Sequence, residues 1–344
     1  MFSSTHSRGS FMRILQCVPV LLTLVAFGAA SGAAQEQHDH SAPSGRLGTV
    51  HFVTSCNTTV SKDFDRAVAM LHSFWFSAAI DAFNVVSKAD PACTMAHWGI
   101  AMSWWGNPFG GFRSPQALKN GQAAIEKAKA APAKTDRERA YLAAVETLYH
   151  DFATVDQRTR TLAYEKAMAQ LTAKHPDDPE ARIFYALALD QTALPTDKTY
   201  ANQLKAAAIL EKEFARQPEH PGITHYIIHS FDVPALAPRA LSAARRYARI
   251  APAVPHALHM PSHTFTRVGA WQESIETNIA SAAAARKDKN GATEELHALD
   301  YQVYAYLQTA QDAAAKKSMD EISAIGDRIQ VNAAGAAAPT PAGF

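Results

Sequence analysis

Charge imbalance is the first thing this sequence lacks. Thirty-three lysines and arginines face 32 aspartates and glutamates, and no basic run stands out. Such a chain casts no net field to draw in nucleic acid, and that class of partner is excluded. Long β-branched runs are missing while alanine is abundant, which favours helix throughout. Familiar catalytic signatures are missing too. No Gly-x-Ser-x-Gly, Walker or dinucleotide-type glycine pattern occurs. Cysteine is limited to Cys17, Cys56 and Cys93.

The apolar run from Ile14 to Ala30 follows Arg8 and Arg13 and ends in Ser31-Gly32-Ala33-Ala34. This is the order of a secretory signal, so residues 1–34 are expected to be removed, with cleavage after Ala33 or Ala34. The alternative is an uncleaved anchor, for which the run is short. Gln16 before Cys17 argues against a lipoprotein cysteine. The expectation is an exported protein, periplasmic or extracellular, with no membrane span once the signal is gone. Cys56 and Cys93 then remain, and an oxidising compartment favours a disulfide between them over separate burial as small side chains.

Residues 35–49 read as a flexible polar tail and 331–344 as a disordered Ala/Pro/Gly-rich one. Between them, residues 50–330 alternate helix and turn. Phe64, Ala67, Val68 and Leu71 mark one apolar helix face, and Ala79, Phe83 and Val86 mark the next, which Pro91 ends. The fold class is all-α. The tryptophans around Trp98 and Trp104 read as core rather than as the floor of a ligand groove.

Five of the fifteen histidines fall between Thr224 and Phe265. His225 and His229 are four residues apart, as are His259 and His263, which stacks each pair on one helix face within reach of one metal ion. The second pair repeats the first after 34 residues. The segment His225-Tyr226-Ile227-Ile228-His229 lacks the glutamate that a zincin uses as general base, which disfavours a metalloprotease.

The Ala79, Phe83, Val86, Pro91 spacing, followed by Ile100-Ala101 and Trp104, resembles a tetratricopeptide repeat. The phrases Leu71-His72-Ser73-Phe74-Trp75, His97-Trp98-Gly99-Ile100-Ala101-Met102, His225-Tyr226-Ile227-Ile228-His229, His259-Met260-Pro261-Ser262-His263 and His297-Ala298-Leu299-Asp300-Tyr301 look like a set of bacterial exported tetratricopeptide-repeat proteins. The resemblance spans roughly residues 50–320 and implies a right-handed solenoid of antiparallel helix pairs. It carries no particular activity.

In that family the first helix of each pair lines the concave face, with ligand contacts from fixed repeat positions. The same register puts His225 and His229, then His259 and His263, at equivalent groove positions. It brings His297, Asp300 and His72 to the groove as further candidates. His256 lies just before the second pair, and Tyr301 adjoins Asp300. The expectation is one transition metal, copper or zinc, held by the four paired histidines, or by three and Asp300. The alternative is a groove that takes a protein or peptide ligand without metal.

Overall fold

A computed structural model describes residues 45–131 and 133–328. The expected signal, most of the 35–49 tail and the 331–344 tail lie outside the described residues. Among the described residues the regular elements are all helices. They are α1 (Ser61–His72), α2 (Phe76–Ala89), α3 (Thr94–Trp105), α4 (Pro115–Ala130), α5 (Asp136–Thr147), α6 (Gln157–Lys174), α7 (Pro179–Thr192) and α8 (Ala201–Arg216). There follow α9 (Pro221–Ser230), α10 (Leu241–Ile250), α11 (Pro255–His259), α12 (Pro261–Val268), α13 (Trp271–Ala285), α14 (Ala292–Gln308) and α15 (Asp312–Ser323). None is long and apolar enough to cross a membrane.

Local chemistry sets the helix starts. Thr135 and Glu138 form a reciprocal capping box on α5. Asp178 caps α7, and Pro179 supplies the fixed φ of a first helical residue. His220 plays the same part for α9: its Nδ1 accepts from the Ile223 N–H at 3.3 Å ahead of Pro221. Gly269, at φ 76°, ends α12 in a left-handed conformation that glycine adopts without strain.

Consecutive helices pack on one another, α1 on α2, α2 on α3, α6 on α7 and α13 on α14. One large core joins Phe52, Phe64, Phe83, Trp98, Tyr141, Phe184 and Tyr226, and Trp98 and Trp105 are both buried in it, as core tryptophans. Ala282, Ala298, Leu299 and Ile325 make a smaller second core among the C-terminal helices. The Cys56–Cys93 disulfide is formed, with a Cα–Cα distance of 4.7 Å. It ties the segment before α1 to the start of α3.

An open solenoid lets each repeat touch only its neighbours. Here the first helices also meet much later ones. α1 packs on α9. Trp75 donates its indole N–H to Asp288 at 2.6 Å, across 213 residues of sequence.

The fulcrum of this closure is buried and polar. The Glu180 carboxylate accepts from His72 Nε2 at 2.9 Å and from His220 Nε2 at 3.0 Å. His72 Nδ1 in turn accepts from the Tyr226 hydroxyl at 2.9 Å. His220 Nδ1 is already the cap acceptor, so both rings turn Nε2–H to the carboxylate and every nitrogen is used. Burial pushes the Glu180 carboxyl up, but the two imidazoles bonded to it outweigh that, and the group is held below the usual carboxylate range. Gly222 is required beside this network, because a Cβ there would sit 2.4 Å from His72 Nδ1. The network fixes α9, the helix that carries the first histidine pair.

Candidate metal centre

The six histidines of the region fall into two groups of three. One ring nitrogen each from His225, His229 and His256 lie within 4.8 Å of one another, and the same holds for His259, His263 and His297. The i,i+4 spacing and its 34-residue repeat predict both pairs on a single ion. The structure instead completes each pair with a third histidine from a later helix, His256 of α11 and His297 of α14. Pro261, which has no N–H to give, interrupts the backbone hydrogen bonding between α11 and α12, while Met260 keeps helical φ and ψ. The broken helix serves both groups: α11 gives His256 to the first, while His259 and His263 on either side of the break form the second.

Hydrogen bonds turn the rings. His225 donates Nδ1–H to the His72 carbonyl at 2.7 Å. His256 donates Nδ1–H to Glu294 at 3.0 Å, and its Nε2 is buried without a hydrogen-bond partner among the described residues. His263 donates Nδ1–H to Asp232 at 2.8 Å, and Arg267 holds the other carboxylate oxygen at 2.9 Å. His259 donates Nδ1–H to Asn278 Oδ1 at 2.7 Å. The amide of Asn278 is oriented by its own donation to the Ser274 carbonyl at 2.8 Å. Each of these four rings has its proton on Nδ1, so in the neutral form Nε2 carries a lone pair.

Those lone pairs face inward. His259 Nε2 and His263 Nε2 are 3.0 Å apart, and His225 Nε2 and His229 Nε2 are 3.1 Å apart. His259 and His263, both with Nδ1–H already donated, are two acceptors at that distance and need a cation or a proton between them. A shared proton there would make one of those two rings an imidazolium. Burial opposes that charge and pushes His225, His229 and His259 well below the usual histidine value, with neighbouring imidazoles adding to the effect. His297 is lowered to about 4, by burial first and then by His263. Two nitrogens bound tetrahedrally to one metal at 2.0–2.1 Å are roughly 3.3 Å apart, close to the spacing seen. The donor set therefore fits a transition metal with an affinity for imidazole.

The His72–Glu180–His220 group has comparable spacing and fails the same test. Its nitrogens are all engaged in hydrogen bonds, leaving no lone pair to donate. Asp90, next to Cys56 and Cys93, is likewise spent on the backbone N–H groups of Asn57 and Ala92, and the two sulfurs are bonded to each other.

Around the first group, Phe74 is decisive. It is a non-glycine residue at φ 54°, a strained conformation that surrounding structure must enforce. Its ring centroid lies 4.3 Å from that of His225, 5.4 Å from His256 and 5.8 Å from His229. From the 107–113 loop, Phe109 stacks on His229 at 4.1 Å. Tyr301 flanks the second group, with its hydroxyl 3.3 Å from His263 Nδ1 and its ring 4.9 Å from that of His259. Burial pushes the Tyr301 phenol up.

The nine residues singled out from the sequence thus separate. His225, His229 and His256 meet, and so do His259, His263 and His297 beside Tyr301. His72 points its ring into the Glu180 network and offers the site only its carbonyl. Asp300 belongs to neither histidine group, and burial pushes its carboxyl up. The orienting residues Asp232, Asn278 and Glu294 are invisible in the sequence, since a lone carboxylate or amide carries no spacing signal. A cleft of about 480 Å³ opens over both groups, bordered by His229, His256, His263 and His297 together with Asp232 and Glu294.

No family model matches the chain, and no curated protein matches it in sequence.

Proposed function

We propose that this chain is an exported, tetratricopeptide-like helical-repeat protein that binds two transition-metal ions, copper or zinc. One ion is held by His225, His229 and His256, the other by His259, His263 and His297. The observation that carries the reading is the pair of facing Nε2 atoms in each group, 3.1 Å and 3.0 Å apart, with the Nδ1 protons of His225, His259 and His263 already committed. Asp232, Glu294, Asn278 and the His72 carbonyl supply the outer hydrogen bonds that raise ligand basicity and fix ring orientation. Three nitrogens per ion leave a coordination position open toward the cleft, as in sites that hold water or substrate rather than closed structural ones.

The test is metal content. Protein purified without a histidine tag, stripped with chelator and dialysed against copper(II) or zinc(II), retains two ions per chain by elemental analysis. His225→Ala and His259→Ala each remove one and leave the helical circular dichroism unchanged. Retention of no metal, together with peptide capture that chelator does not affect, contradicts the proposal and favours a groove that binds protein through its histidines.

A further inference from the structure

We infer that the two histidine groups act as one dinuclear copper centre, with an exogenous small anion of oxygen or nitrogen bridging the two ions from the cleft. This rests on the two-ion reading above and adds to it the coupling of the ions and the class of ligand they share.

Four observations lead there. First, the groups are neighbours. His229 and His263 ring centroids are 6.2 Å apart, and those of His256 and His259, contributed by one short helix, are 6.1 Å apart. Second, both groups border a single cleft, each through two of its rings, so the open position on each ion faces the same space.

Third, both groups consist of histidine alone. Neither includes a carboxylate that could span two ions, so a bridge must come from solution. Fourth, six neutral imidazoles leave each divalent ion its full charge. Asp232 and Glu294 border the cleft, but Asp232 already answers Arg267, and both carboxylates are engaged by histidine N–H groups. A positive excess therefore remains where the open positions converge, and a small anion such as hydroxide offsets it. Nitrogen donors without carboxylate or thiolate, offered to the first-row divalent series, favour copper(II).

The experiment uses the full-length mature protein, copper(II) as metal and azide as bridging probe. As copper is added to the stripped protein, the spin-half electron paramagnetic resonance signal rises to one equivalent. It then collapses, or gives way to a half-field transition, as the second ion binds. Azide titrates at one per two coppers with a charge-transfer band. His297→Ala, checked by circular dichroism, keeps one copper and a full spin-half signal, and loses the one-to-two azide ratio.

Two coppers bound with a spin-half signal integrating to both, and one azide per copper, overturns the dinuclear assignment while leaving the two-ion reading intact. Fewer than two coppers bound in the unaltered protein overturns both, and elemental analysis of the same samples tells the two failures apart.

Discussion

Glu180→Gln tests whether the buried His72–Glu180–His220 network is structural, as its hydrogen bonds indicate, rather than a third metal group. The carboxylate accepts Nε2–H from both rings, at 2.9 Å and 3.0 Å, and all three side chains are essentially inaccessible to solvent. A glutamine offers one acceptor oxygen and turns an N–H₂ toward the second ring, leaving a buried donor facing a donor. Removing one member of a buried charged network costs about 3–5 kcal/mol. At roughly 2 °C per kcal/mol for a chain of this size, that lowers Tm by about 6–10 °C.

The pH dependence has a definite sign. The folded-state carboxyl is held below its unfolded value, so its stabilising contribution is complete above the unfolded range near pH 4–5. It is lost as pH falls below that range. The gap between wild type and Glu180→Gln is therefore widest at neutral pH and narrows on acidification. Thermal melts followed by circular dichroism from about pH 2.5 to about pH 7 measure it. Equal melting temperatures at pH 7, or a Glu180→Gln protein with an unchanged Tm and one metal ion fewer, would refute the structural assignment.

Four further outcomes follow from the same geometry. Asn278→Ala removes the acceptor for His259 Nδ1–H, and competition with a chromophoric chelator should show the second ion bound about 10–100-fold more weakly with the first little changed. Phe74→Ala withdraws the ring packed on His225, His229 and His256; chemical denaturation should show a loss of about 3 kcal/mol, with weaker binding of the first ion. Asp190 is buried, and burial pushes its carboxyl well above the ordinary value, so it costs stability as pH rises from its unfolded range toward neutrality. Asp190→Asn should lack that loss, giving a flatter stability profile against pH. Replacing Cys56 and Cys93 with serine opens a link of sequence separation 37 and should cost about 4 kcal/mol, which reduction of the wild type should reproduce.

The helical character was legible from local chemistry. Alanine content, the proline that ends α2 and the apolar spacing of Phe64, Val68 and Leu71 act over a turn or two and need no knowledge of the rest of the chain. The pairs His225/His229 and His259/His263 were legible for the same reason, since i,i+4 spacing fixes proximity. Their partition was not. Pro261 was in plain view, but how far a proline redirects a helix depends on what packs on both sides, and only the folded chain shows His256 joining the pair on α9. The role of His72 was hidden by distance. Its ring serves Glu180, 108 residues on, and its carbonyl serves His225, 153 residues on. Closure of the helical array makes both contacts, and nothing in the repeat spacing announces that closure.

Anomalous diffraction from crystals of the metal-loaded protein tests the central claim most directly. Two peaks are predicted, one among the ring nitrogens of His225, His229 and His256 and the other among those of His259, His263 and His297. A single peak shared by His225, His229, His259 and His263, or none near these rings, would contradict it.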